Sequence, residues 1–390
     1  MTVSDLDYST EHDKEACYSE PNILLITGGT GSLGNEVVNQ IIARNNKLPP
    51  YHKHYFTKII IYSRDEQKQA DMAARLENNS YVRFFIGDVR DRSRLRLAMH
   101  GVTHVIHAAA LKIVPSIEYN PQECLKTNIQ GAENLIEICA GMPYPRKKVL
   151  ALSTDKAVNP INLYGASKLA AEKLFLDAHN LAPNCMFSVA RYGNVSNSRG
   201  SVIPLFKKQL ENNIPLWITD PKMTRFWITL EDAAKFVIDR LGDMVDAEIY
   251  IPMMESYNIE DLAHVILEDK FGPDGQYPTK IIGMRPGEKL HEDLVTKYEF
   301  EYVYDMSDHD TPVYHVIKKQ RHEEYAKILD EAHLSGIRVS DTYNSSMFVM
   351  DKETLRARLL EAGLIDPPFD IVEDTRIIEF PIPDYHGGHS

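Results

Sequence analysis

The chain has 390 residues, 43% of them hydrophobic, and a formal net charge of -13. Six acids against Lys14 in residues 1–20, and six against Arg376 in residues 366–390, account for -10 of that charge and leave the middle at only -3. Such a length supplies a large core, as two lobes or one big α/β domain with appendages. No basic stripe or nucleic-acid motif is present, which argues against nucleic-acid binding, and no apolar run reaches the ~20 residues of a membrane span.

The opening, MTVSDLDYSTEHDKEACYSE, is polar and acidic, and reads as a flexible leader over residues 1–20, not a signal peptide. Six apolar runs follow: NILLIT (22–27), KIIIYS (58–63), VRFFIG (82–87), HVIHAAA (104–110), KVLALST (148–154) and MFSVARY (186–192). They are nearly continuous in Val, Ile and Phe, as strands covered on both faces should be. Helical patterns separate them, for example Asn35–Arg44, Gln67–Leu76 and Gln122–Cys139. This alternation predicts an α/β fold, a Rossmann-type doubly wound parallel sheet, over residues 21–200. After Tyr192 the texture loosens, and shorter strands follow at PLWIT (215–219), EIYIPM (248–253) and TKIIGM (279–284). A smaller C-terminal substrate-binding lobe is expected over 201–335, with part of 225–250 returning to the first domain and 336–390 forming an appendage with an acidic tail. Cys17, Cys124, Cys139 and Cys185 show no CxxC spacing, which fits a reducing, cytoplasmic setting with Cys124 and Cys139 as buried thiols.

Glycines 28, 31 and 34 in ITGGTGSLGNEVV fall between the first strand and the first helix. Gly28 allows the tight turn, Gly31 lets a pyrophosphate approach the backbone, and Gly34 lets helix and strand pack closely. A dinucleotide site is therefore expected. The second strand ends in IYSRDEQKQ, where Arg64 and Lys68, after Ser63, suit a 2′-phosphate. NADP is the expected cofactor, and Asp65 keeps NAD as the alternative. Asp88 and Val89 follow the third strand, toward the adenine, and small residues Ala108 and Ala109 follow the fourth, where a cofactor lies against backbone.

Tyr164 and Lys168 are four apart and share one helix face. A cationic Lys beside a phenol lowers its pKa from ~10 toward neutrality, making a base for a sugar hydroxyl proton, with Thr154 donating to the same oxygen. The chain to this point resembles the extended short-chain dehydrogenase/reductase superfamily. A plain reductase or epimerase leaves the adjacent Asp155 and Lys156 unexplained. A dehydratase uses such a pair: one group removes a C5 proton and the other protonates a departing C6 hydroxyl. Asp155 is the expected acid and Lys156 the expected base, provided burial or a neighbouring cation lowers the lysine pKa.

The segments ALSTDKAVNPINLYGASK, ARYGNV, SRGSVIPLF, MTRFWITL and GMRPGEKLHE resemble those of the inverting UDP-N-acetylglucosamine 4,6-dehydratases, which open the pseudaminic-acid route. The likeness spans roughly residues 20–350. It implies catalytic roles for Thr154, Asp155, Lys156, Tyr164 and Lys168. For the cofactor it implies Gly28, Gly31, Ser32, Leu33, Gly34, Ser63, Arg64, Lys68, Asp88, Val89, Ala108, Ala109, Lys112 and Asn128, with Tyr164 and Lys168. For the UDP-sugar it implies Lys112, Asn194, Val195, Arg199, Gly200, Ser201, Val202, Thr219, Arg225, Arg285 and Glu288. It also implies a homo-oligomer, dimer or higher, of cytosolic subunits. A nucleotide-sugar C4-epimerase and a non-catalytic NADP-binding regulator are the rival readings. No metal is expected: HGGH at 386–389 reads as a solvated tail, and His104 and His107 alternate along a strand.

Overall fold

The computed structural model describes residues 21–48, 52, 55–196, 198, 201–272, 279–305, 313–317 and 343–366. The leader, Cys17, Arg199, Gly200 and the HGGH tail lie outside them.

The six apolar runs become β1 (Ile23–Thr27), β2 (Lys58–Ser63), β3 (Val82–Ile86), β4 (His104–His107), β5 (Lys148–Thr154) and β6 (Met186–Tyr192). All six are parallel, in the order β3-β2-β1-β4-β5-β6. The order reverses between β1 and β4, so a crevice opens at the carboxyl ends of those two strands, the usual ligand position in such sheets. The helices between are α1 (Ser32–Asn45), α2 (Glu66–Arg75), α3 (Arg92–Ala98), α4 (Val114–Tyr119), α5 (Pro121–Cys124), α6 (Gly131–Gly141) and α7 (Leu163–Asp177). The single helix expected over Gln122–Cys139 is interrupted by a π-helical turn, Leu125–Gln130. That wider turn carries buried Asn128, whose amide bonds both ways to the Leu111 backbone at 2.8 and 3.0 Å and so fixes the loop after β4.

The next elements are α8 (Val202–Glu211), β7 (Leu216–Ile218), β8 (Thr224–Phe226), α9 (Leu230–Asp243), β9 (Glu248–Pro252), β10 (Ser256–Asn258) and α10 (Ile259–Phe271). They are followed by β11 (Thr279–Ile281), β12 (Asp293–Val295), β13 (Val303–Asp305), β14 (Val313–Ile317), β15 (Tyr343–Asn344) and α11 (Lys352–Glu361). The EIYIPM run overlaps the part of 225–250 expected to return to the first domain. As β9 it joins the main sheet, parallel to β6, and the sheet then continues antiparallel through β14 and β13. Its five residues are all buried, which a main-sheet position demands.

Two cores result. The first spans the sheet and its flanking helices; the second joins Ile203 and Phe206 of α8, Leu216, Trp227, Leu262, Val265 and Leu355 and Leu359 of α11. Helix α11, expected in the appendage, is thus part of the smaller lobe. Buried Arg191 on β6 joins α7 to the segment after β12: it bonds Glu172 of α7 at 2.7 and 3.0 Å, Glu299 at 3.0 and 3.1 Å, and the Leu294 carbonyl at 2.9 Å. Cys124, Cys139 and Cys185 are buried free thiols.

Candidate active site

The nucleotide end is built by backbone. Gly28 has φ +67°, and a Cβ there would stand 2.9 Å from the Ala109 Cα. A Cβ on Gly34 would stand 2.3 Å from the Gly29 carbonyl oxygen, so only glycine lets α1 approach the loop. Gly31 meets nothing but the Gly28 carbonyl, at 3.2 Å, leaving its other side open. It caps α1 without a side-chain bond, so the first amides of the helix, at Ser32, Leu33 and Gly34, remain available to an anion. This cradle fits a dinucleotide pyrophosphate.

The ribose end is less open than the sequence suggests. Asp65 caps α2 through the Lys68 amide at 3.0 Å and pairs with the Lys68 ammonium at 2.6 Å. Those contacts hold its carboxyl below the ordinary aspartate value. Ser63 accepts from Gln69 Nε2 at 2.9 Å. Asp88 bonds Arg90 at 2.7 and 2.9 Å and stands 3.5 Å from Arg64. Burial raises the Asp88 carboxyl, but Arg90 outweighs it, and the group stays below its usual range. Arg64 itself is half-exposed and Val89 is buried.

At the chemical end β5 delivers Thr154, and a single 3-10 turn, Asp155–Ala157, follows. The Thr154 hydroxyl donates to Asp155 Oδ1 at 2.7 Å, and its oxygen accepts the Lys156 amide at 3.4 Å. Asn162 caps α7 through the Gly165 amide, 2.8 Å away, and puts Tyr164 and Lys168 on its first turns. Gly165 is required here, since a Cβ would stand 2.0 Å from the Lys156 carbonyl oxygen. Sequence reading passed over this glycine, although its place inside YGASK, on a helix, was the available signal.

The electrostatics differ from the expectation in two respects. Burial drives the Tyr164 phenol up to about 12, and the cation opposing this is Lys156. Lys168 donates to the Leu152 carbonyl at 2.5 Å, and burial lowers it to about 8 against the opposing Glu172. Lys156 does not meet the stated condition for a base. Burial lowers its ammonium, but Asp155 at 3.1 Å and Glu292 at 3.5 Å outweigh that and hold its pKa above the ordinary lysine value.

The expected sugar-nucleotide residues are dispersed in their engagements. Asn194 Oδ1 and Ser201 Oγ are buried without hydrogen-bond partners among the described residues, and Ser201 precedes α8 without capping it through its side chain. Val195 bridges Ile228, while Val202 opens α8 and Thr219 sits half-buried after β7. Arg225 is spent on the carbonyls of Thr224, Lys289 and Leu290 at 2.7, 3.0 and 3.2 Å. Arg285 pairs with Glu288 at 3.7 Å on an exposed loop. The cleft wall, and then the Lys156 charge, push Lys112 below the ordinary lysine value. Two contacts missed in the sequence lock this loop to the catalytic turn: Lys289 donates to the Val158 carbonyl at 2.5 Å, and Asn162 to the Gly287 carbonyl at 2.8 Å.

A glycine cradle at the β1–β4 switch point, with Thr154, Tyr164 and Lys168 at the end of β5, defines a Rossmann-type fold of the short-chain dehydrogenase/reductase class. The model of the family described as "Polysaccharide biosynthesis protein" matches residues 24–312, and the chain belongs to that family. It is 51% identical over 299 residues to a Campylobacter jejuni protein named UDP-N-acetylglucosamine 4,6-dehydratase (inverting), covering 74% of this chain and 84% of that one. It is 39% identical over 341 residues to a Rickettsia conorii protein named UDP-glucose 4-epimerase, covering 86% of this chain and 95% of that one. The solved structure of Pen from Bacillus thuringiensis superimposes with a TM-score of 0.77 at 30% identity, covering 89% of this chain and 99% of that one.

Proposed function

We propose that the protein is an NADP-dependent 4,6-dehydratase of UDP-N-acetylglucosamine that inverts C5. The observation that carries this reading is the Asp155–Lys156 pair, 3.1 Å apart, with Thr154 donating to Asp155 at 2.7 Å and α7, which carries Tyr164, following as the next element. The resemblance to the C. jejuni dehydratase supports the substrate. Half-exposed Arg64 and the commitment of Asp65 to capping α2 support NADP over NAD.

The glycine loop, Arg64 and Lys168 would hold the cofactor, which when bound would accept the C4 hydride and return it to C6, so that no net redox change occurs. Tyr164 takes the proton of the C4 hydroxyl, aided by Thr154. The resulting 4-ketone acidifies the C5 hydrogen, which Lys156 removes, and Asp155 protonates the leaving oxygen at C6. C5 is then reprotonated on the opposite face. Asn194, Ser201 and the amino end of α8 suit the anionic nucleotide portion of the substrate.

Incubation with UDP-N-acetylglucosamine and NADP⁺ is expected to give a product lighter by one water. The similarity to the R. conorii protein keeps a C4-epimerase as the second reading. A product of unchanged mass would establish that reading instead. Exposed Ile113 at the N-cap of α4, Tyr119 at its end and Leu125 at the start of the π-turn support self-association. Light scattering checks this. No helix among the described residues is long and apolar enough to cross a membrane.

A further inference from the structure

Glu292 has no role in the chemistry above, yet it is the second carboxylate on Lys156. It precedes β12 and is 3% exposed. Its backbone amide donates to Ser345 Oγ at 2.9 Å, and the Ser345 amide returns a bond to the Glu292 carbonyl at 2.8 Å. Ser345 is in turn 2.7 Å from Thr224 Oγ1, so Glu292 is held by two distant segments. Its Oε1 stands 3.5 Å from Lys156 Nζ, and its Oε2 is buried without a hydrogen bond.

The surrounding charges are already engaged. Lys289 is 3.9 Å from Oε2, but its ammonium donates to Val158. Arg225 is bound to three carbonyls. Asp155 Oδ1 already accepts from both Thr154 and Lys156. His291, next in the chain, faces Thr224 at 2.7 Å. One ammonium therefore serves two buried carboxyl groups, and like charges so close disfavour both being ionised together. Burial pushes the Glu292 carboxyl upward, with Asp155 adding to it against the pull of Lys156.

We propose that Glu292 is the positioning residue that makes Lys156 a base, by accepting its proton before the C5 hydrogen is removed. The transfer moves one proton from Nζ to the Glu292 carboxylate. The ammonium–carboxylate pair becomes an amine and a carboxylic acid, with no change in net charge inside the site. The free amine pair then takes the C5 proton while the C5–H electrons pass into the 4-ketone as an enolate. This rests on the dehydratase reading and on Lys156 as the C5 base.

The test uses the full chain with UDP-N-acetylglucosamine and NADP⁺ in D₂O. It follows reduced cofactor in a single turnover, deuterium at C5 and dehydrated product. Glu292→Gln keeps the shape and removes the proton acceptor. It is expected to form reduced cofactor as the wild type does, while C5 exchange and dehydration fall by about 10²-fold or more. The residual rate should climb with pH up to the alkaline limit, since Lys156 must then lose its proton to solvent. Glu292→Asp, which keeps a carboxylate, should recover part of the loss and serves in its place if the Gln variant does not fold. A Gln variant that dehydrates within about threefold of wild type overturns the proposal. Equal loss of oxidation and dehydration in a folded, cofactor-binding variant overturns it too. If the wild type itself releases no dehydrated product, the dehydratase reading fails first.

Discussion

The glycine loop and the acid/base turn lie at strand ends of one sheet, yet different forces hold them. The loop is made of backbone approaches, such as Gly34 against Gly29 and Gly28 against Ala109, all between residues 28 and 109. The turn at Asp155–Ala157 is made of side-chain charge drawn from far along the chain, with Glu292 and Lys289 reaching it from the smaller lobe. The cradle draws on residues between Gly28 and Ala109, whereas the charge of Lys156 depends on Glu292, far along the chain. Cofactor binding and acid/base chemistry should accordingly be separable by mutation.

The largest separation is expected from Tyr164→Phe. The ring keeps its packing and the proton acceptor is gone, so turnover should fall about 10²–10⁴-fold. NADP affinity, measured by fluorescence titration, should stay near wild type because the glycine cradle is untouched. Near-normal turnover would remove Tyr164 from the mechanism.

Arg191→Met tests the buried charge network that joins α7 to the segment after β12. It strands Glu172 and Glu299 around an apolar side chain, and removing one partner of a buried ion pair costs about 3–5 kcal/mol. Urea unfolding should show that loss. A change below about 1 kcal/mol would mean the network relaxes without Arg191.

A pH titration sharpens the comparison from the nucleotide side. His107, on β4, is 3.0 Å from Thr27 Oγ1 on β1. Burial, with help from Lys168, lowers its pKa from 6.5 to about 3. A cation disfavoured in the fold is taken up first by the unfolded chain. Stability should therefore fall as pH drops from 6.5 toward 3, by at most about 1.4 kcal/mol per unit. His107→Gln should flatten that slope in urea titrations at successive pH values, and an unchanged slope would assign the acid sensitivity elsewhere.

The smallest effect is expected from Arg64→Glu. Charge reversal at the end of β2 repels a 2′-phosphate and offers a carboxylate to a free ribose hydroxyl. The ratio of NADP to NAD affinity should drop by roughly tenfold or more, while the two affinities taken together change less. Equal losses for both cofactors would show that Arg64 serves the fold through Asp88.

The parallel sheet and the cradle were legible in the sequence, because strands covered on both faces leave continuous Val, Ile and Phe runs and a tight turn leaves glycines. The pairing of Tyr164 with Lys168 on one face of α7 was equally legible from helical spacing. These are local rules, carried by neighbours in the chain. Glu292 left no such mark, since nothing in KLHED distinguishes a buried carboxylate from a solvated one. Nor could the order of residues show that Arg225 is consumed by carbonyls or that Asp65 caps a helix. Each of those depends on which distant groups are brought within a few ångströms and how much water is removed from around them. The sequence by itself determined the site's reagents; the docking of the smaller lobe decided their charges, because a pKa is set by burial and neighbours that only the folded chain assembles.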